Sequence, residues 1–161
     1  MREAEFERLY AEHAQGLFGF LAYRTGDRIL AEDLVADTFE RVLRSRARFD
    51  PRRGRQKTWI YAIAMNLLRD SARRRRTEER ALEHVAVGAG PDVDFPHDEL
   101  DERDQLKRAM ECLSPEERDV VALRFGGDLP VKDIASTIGE STTTTEGRLY
   151  RALRKLKQEL G

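Results

Sequence analysis

The stretch Thr58–Arg76, TWIYAIAMNLLRDSARRRR, decides how the chain folds. Trp59, Ile60, Ile63, Ala64, Leu67 and Leu68 recur at helical spacing, so one side packs while Asn66, Arg69 and Arg73 to Arg76 stay free. Such a helix holds a rigid cationic edge toward something anionic. A basic loop, FDPRRGRQK from Phe49 to Lys57, leads into it, and a helix-turn-helix pattern lies far downstream. Together the three features point to nucleic acid.

Two further helical patterns precede that loop. The first runs through Phe6, Leu9, Tyr10, His13, Leu17, Phe18 and Leu21. The second follows Gly26-Asp27, with Asp27 as N-cap and Ile29, Leu34, Val35, Thr38, Phe39, Val42 and Leu43 as its apolar stripe. Strand-like alternation is absent, so residues 1–76 are expected to form an all-helical bundle. From Thr77 to about His97 the periodicity fails, and VGAGPDVDFPHDE reads as linker. Helical pattern resumes near Asp98 with Leu106, Ala109, Met110 and Leu113.

Ser114-Pro115-Glu116-Glu117 is a helix start: a Ser N-cap, Pro at the first helical position and Glu placed for a capping box. That helix is expected to bury Val120, Val121 and Phe125 and to stop at Gly126-Gly127. The last segment reads as a helix-turn-helix. Val131, Ile134, Ala135 and Ile138 make its first helix, Gly139 allows the turn, Ser141 caps the second helix, and Leu149, Ala152, Leu153 and Leu156 anchor it. Thr142, Thr143, Thr144, Glu146, Arg148 and Arg151 then lie where recognition helices meet the major groove. The expected architecture is all-α: two small helical domains, 1–76 and 101–161, joined by an acidic flexible linker over 77–100.

Composition narrows the function classes. A lone Cys112 forms no internal disulfide and is read as a buried small hydrophobe, a redox sensor being the other reading. His13, His84 and His97 with that cysteine make no metal-ligand cluster, no nucleophile-base arrangement stands out, and neither enzyme activity nor a cofactor is expected. No apolar run approaches the roughly 20 residues that cross a bilayer, and the charged N-terminal stretch lacks the core of a signal peptide, so the expectation is a cytoplasmic protein without membrane insertion. The net charge of −1 is unevenly distributed. Residues 1–76 carry 17 Lys/Arg against 11 Asp/Glu (+6), residues 77–117 carry 4 against 13 (−9), and residues 118–161 carry 8 against 6 (+2).

Three segments in this order resemble the extracytoplasmic-function (ECF) sigma factors of bacterial RNA polymerase, in the sigma-70 family. AEDLVADTFERVLR (Ala31–Arg44) is similar to the family's polymerase-binding segment, and TWIYAIAMN (Thr58–Asn66) to its promoter-melting, minus-10 reading helix. LSPEERDVVALRF (Leu113–Phe125) and LPVKDIASTIGESTTTTEGRLYRALRKLK (Leu129–Lys157) are similar to its minus-35 reading domain. The resemblance implies binding to core polymerase on the coiled coil of the largest subunit and on the flap, with Asp33, Leu34, Asp37, Phe39 and Arg41 in the docking segment. Phe39 is also read as core.

It further implies a flipped non-template base between the loop and the following helix. Asp50, Arg52, Arg53, Arg55, Lys57 and Asn66 are the candidates there, with Arg69, Arg73 and Arg74 on phosphate and Trp59 bracing the loop rather than stacking on DNA. The arginine tail also reads as a solvated helix end. The acidic linker is read either as an imitation of RNA along the polymerase cleft or as a plain charged tether. Factors of this type are often held by an anti-sigma protein.

The recognition helix departs from the usual Gly-Thr-Val-Lys-Ser-Arg-like pattern. Here Thr143-Thr144-Thr145-Glu146-Gly147-Arg148 puts Glu146 where Lys is common, and its threonines lower helix propensity. Ser141 and the threonines are nonetheless taken as minus-35 contacts, with a weak or unusual sequence preference expected. The other reading, a stand-alone helix-turn-helix regulator on duplex DNA, leaves the basic helix and Ala31–Arg44 unexplained.

Overall fold

The computed structural model describes residues 3–82 and 97–161. Every regular element among them is helical, as the patterning predicts. Helices α1 (Glu3–Thr25), α2 (Arg28–Arg44) and α3 (Gln56–Leu82) pack as one bundle, with a 3₁₀ turn at Arg46–Arg48. Helices α4 (His97–Glu111), α5 (Pro115–Val121), α6 (Val131–Ile138) and α7 (Thr142–Leu160) form the second, with a π turn at Ala122–Gly126 between α5 and α6. The linker reading falls mostly on residues 83–96, outside the described residues. Its first part is corrected: α3 runs on through Leu82, because Glu78 to Leu82 are good helix formers and Thr77 to Leu82 include no Gly or Pro.

Local chemistry accounts for the boundaries. Asp27 Oδ1 accepts the Leu30 N–H at 3.1 Å and caps α2. At Ser114 the capping box is complete: the Glu117 N–H donates to Ser114 Oγ at 3.2 Å and the Ser114 N–H to Glu117 Oε1 at 2.9 Å. The same carboxylate accepts Lys155 Nζ at 2.8 Å, which ties α5 to α7. Gly139 turns α6 into α7 at φ 73°, a left-handed conformation that penalises a Cβ.

Several core expectations are corrected. Phe125 is 49% exposed, because hydrogen bonding slips into the π turn, whose extra residue rotates it out of the α5 stripe. The left-handed residue after that turn is Asp128, at φ 54°, and neither Gly126 nor Gly127. Ile29 (57% exposed), Leu43, Leu153 and Tyr10 face solvent, whereas Phe20, Tyr61 and Met65, outside the expected stripes, are buried. Cys112 is exposed rather than a buried hydrophobe.

The two bundles share a contiguous apolar core. Helix α1 crosses the π turn with Gly19 against Gly126, and the Tyr61 ring packs beside Phe20 and Gly127. Burial pushes the Tyr61 hydroxyl well above the ordinary phenol value, and the Asp128 charge adds to the shift. Arg24 Nε donates to Asp119 Oδ1 at 2.7 Å across the same seam, and Arg55 Nη1 lies 3.7 Å from Asp133 Oδ1.

Candidate nucleic-acid interface

The loop before α3 is shaped by its own side chains. Asp50 Oδ1 accepts the Arg52 N–H at 2.9 Å and the Asp50 carbonyl accepts the Arg53 N–H at 3.0 Å, closing a tight turn. The Phe49 and Trp59 rings sit 5.0 Å apart, pinning the loop to the head of α3. Trp59 therefore packs as the sequence reading has it, and Asp50 organises backbone. The outcome is an open cleft of about 670 Å³ lined by Phe49, Pro51, Arg52, Arg53, Gly54, Arg55 and Gln56. Arg52 and Arg53 extend into solvent at its rim, Lys57 is half-buried, and Arg55 faces the Asp133 carboxylate.

Asn66 is exposed but does not line this cleft. It lies ten residues beyond Gln56, about 15 Å along the helix at ~1.5 Å per residue. There it heads a stripe with Arg69, Arg73, Arg76 and Arg80, spaced to fall on one exposed face. Arg80 escapes the sequence reading, which ends the helix at Arg76; the i, i+4, i+7, i+11 spacing from Arg69 is the signal that finds it. Arg74 is exposed beside the stripe, and Arg75 turns the other way to donate to Asp27 Oδ2 at 3.1 Å.

On α7 the threonine run is held by hydrogen bonds that offset its poor helix propensity. Ser141 Oγ accepts the Thr144 N–H at 3.1 Å, and the Thr145 hydroxyl donates to the Ser141 carbonyl at 2.8 Å. Thr142, Thr143, Thr144, Glu146 and Arg151 are exposed, and Ser141 with them. Arg148 sits on the flank, half-buried, 3.9 Å from Glu140. Tyr150, 67% exposed and seven residues on from Thr143, also belongs to the outward face. Tyr150 is not among the residues that the sequence singles out; its place off the Leu149, Ala152 and Leu156 stripe is the signal that finds it.

On α2, Leu34 and Phe39 are buried, with Phe39 reaching the surface only in the wall of a groove, whereas Asp33, Asp37 and Arg41 are exposed. Ile29, Asp33, Ala36, Glu40 and Leu43 form one solvent-facing stripe of mixed acidic and apolar character. Beside it a groove of about 530 Å³ between α1 and α2 is walled by Phe6, Tyr10, Phe18 and Phe39, with Glu32 and Glu40 at its edge. Among the described residues no group of acids, histidines and cysteine is placed to hold a metal ion, and no helix is long and apolar enough to cross a membrane.

Residues 9–78 match the family model for Sigma-70 region 2, and residues 103–156 that for Sigma-70 region 4. RNA polymerase sigma factor CarQ of Myxococcus xanthus is 34% identical over 158 residues, covering 97% of this chain and 89% of that protein. ECF RNA polymerase sigma factor RpoE of Cereibacter sphaeroides is 29% identical over 158 residues, covering 98% and 87%. The same fold occurs in the sigma factor RpoE in complex with the anti-sigma factor NepR from Bartonella quintana, at TM-score 0.76 and 24% identity over 97% of this chain and 96% of that one. It occurs again in CnrH in complex with the cytosolic domain of CnrY, at TM-score 0.75 and 23% identity over 99% and 89%. The chain belongs to the ECF sigma factors of the sigma-70 family, which direct RNA polymerase to promoters for the start of transcription.

Proposed function

We propose that the first bundle, through the end of α3 at Leu82, binds core RNA polymerase and opens the minus-10 element, that residues 101–161 read the minus-35 element as duplex, and that the segment between them tethers the two. Polymerase contact falls to the exposed α2 stripe: Asp33 and Asp37 with Ile29 and Leu43 suit a basic amphipathic helical surface such as the largest-subunit coiled coil, and Arg41 borders it. The groove beside it receives an apolar side chain from that partner, and the flap takes the second unit. An anti-sigma protein competes for these surfaces, as suggested by the complexes of the two sigma factors that share this fold.

The observation that carries the melting role is the pinned cationic cleft at the head of α3. Extruding a base costs a few kcal/mol of lost stacking, roughly the scale of a base held by aromatic and cationic contacts. Arg52 and Arg53 clamp the non-template strand, and the Asn66 to Arg80 stripe follows the phosphates. Removing one cation from a phosphate of single-stranded DNA lowers the slope of log affinity against log salt by about 0.7.

Run-off transcription with core polymerase, alongside polymerase affinity measured separately, tests the reading. Arg52→Ala with Arg53→Ala is expected to reduce open-complex formation strongly, lower the salt slope by about 1.4, and leave polymerase affinity nearly unchanged. Equal loss of both activities overturns the assignment. Tight binding to duplex promoter DNA with no transcription by core enzyme replaces it with a stand-alone regulator.

A further inference from the structure

We propose that Gly147 is a specificity-determining residue of the minus-35 face: its missing side chain leaves a seat for the Arg151 guanidinium, which is thereby placed to read a guanine at one position of that element. The inference rests on the minus-35 reading above.

Nothing inside the chain calls for glycine at this position. Gly147 is the sixth residue of α7, in the body of the helix, where only proline is a poorer helix former, and its φ is not positive. Packing does not require it either. A Cβ on Gly19 would strike the Gly126 carbonyl oxygen, whereas one on Gly147 would meet no other helix among the described residues. It would stand 3.2 Å from Arg151 Nη1 and 4.0 Å from Arg151 Cζ, atoms of the residue one turn further along α7 itself. The space that glycine leaves is therefore taken by the guanidinium, and even a methyl group there presses on it.

This seat decides where α7 carries its charge. Side chains on a helix lean toward its N-terminus, and Arg151 lies back over Gly147, so its charge sits four residues, or about 6 Å at ~1.5 Å per residue, nearer the front of the helix. Recognition helices present that front to base edges. Arg148 starts closer to the front but is drawn to the flank: its Nη2 lies 3.9 Å from Glu140 Oε1, and its side chain is only 22% exposed. Arg151 is the exposed arginine nearest the front. Its planar fork matches the paired acceptors of guanine, O6 and N7, while Thr143 and Thr144 stand one turn ahead of the seat on the same side. A phosphate could take the same guanidinium, but would do so without regard to sequence.

Run-off transcription by the full chain with core polymerase, from templates randomised through both promoter elements, tests the seat. The base composition of the templates that yield transcript is read position by position. Wild type is expected to favour guanine at one minus-35 position by roughly ten-fold. Arg151→Lys keeps the charge but lacks the fork, and Gly147→Gln fills the seat with a better helix former; each is expected to lose the preference at that same position. Because both act through one guanidinium, the double variant should lose no more than either alone. Gly147→Gln that keeps the preference abolished by Arg151→Lys, or a double variant that loses more than either, overturns the role of Gly147. A preference that survives Arg151→Lys, or a loss spread evenly over all positions, assigns Arg151 to phosphate and overturns it as well. Wild type that transcribes with no guanine preference in the minus-35 element sinks the proposal and leaves the sigma-factor reading intact, whereas no transcript from any template removes both.

Discussion

Glu117 concentrates more structure than its place in a short helix suggests. Its carboxylate completes the capping box of α5 and accepts Lys155 from α7, and it is almost fully buried. Burial pushes its pKa upward, but the hydrogen bonds from Lys155 and Ser114 outweigh that and hold it below the ordinary glutamate value. The folded state therefore binds fewer protons than the unfolded chain near that value. The resulting stability is fully present above about pH 4.3, the unfolded glutamate value, and is lost as pH falls through the lower folded value. Asp27 follows the same sign: burial raises its pKa, and the Leu30 N–H and Arg75 bring it below the usual range. Glu117→Gln is expected to keep an acceptor for the cap while flattening the acid limb of a stability-pH profile. Glu117→Ala should cost about 1–2 kcal/mol at neutral pH in urea unfolding. Identical acid limbs for wild type and Glu117→Gln would show that the carboxylate is not held as described.

At the scale of elements, local rules made much of the chain legible. Ser114-Pro115-Glu116-Glu117, Asp27 and Gly139 each act within a turn of themselves, so the sequence announces them and the caps and turn form where it places them. What escaped was set by neighbours distant in sequence. Tyr61 is buried because Phe20 and Gly127 arrive from other elements; Ile29 and Leu43 are exposed because α2 packs on one side only. The same holds for the site: the Phe49 and Trp59 brace was foreseeable from an aromatic on either side of a basic loop, but the separation of Asn66 from the cleft needed the cleft's own lining, which ends at Gln56. Helix α7 shows the functional consequence. Its outward face carries Tyr150 together with Thr143 and Glu146, while Arg148 is drawn aside toward Glu140. An exposed aromatic there suits a thymine methyl, and Glu146 suits a cytosine amino group. Tyr150→Ala should weaken minus-35 duplex binding by about 1–3 kcal/mol while leaving polymerase affinity unchanged. An unchanged affinity for that duplex would take Tyr150 off the reading face.

At the scale of the molecule, the seam between the bundles decides how the chain unfolds. Core residues from both bundles lie in a contiguous cluster, and Arg24 with Asp119 closes its edge. Units that share a core lose their stability together, and units that merely share a tether melt apart. The chain offers one natural reporter on each: a single tryptophan, Trp59, braced in the first bundle, and a single cysteine, Cys112, exposed at the end of α4 in the second. Tryptophan fluorescence and a dye on Cys112 are therefore expected to give coincident urea transitions in the wild-type chain. Asp119→Ala leaves the mostly buried Arg24 guanidinium without its acceptor, at a cost of about 1–3 kcal/mol placed wholly on the seam. The two transitions should then separate, each with a smaller dependence on denaturant than the joint one, because each exposes only part of the surface. Coincident transitions in both proteins would place the coupling elsewhere than at this pair, and separate transitions in the wild type would mean that the two bundles fold independently despite their contact.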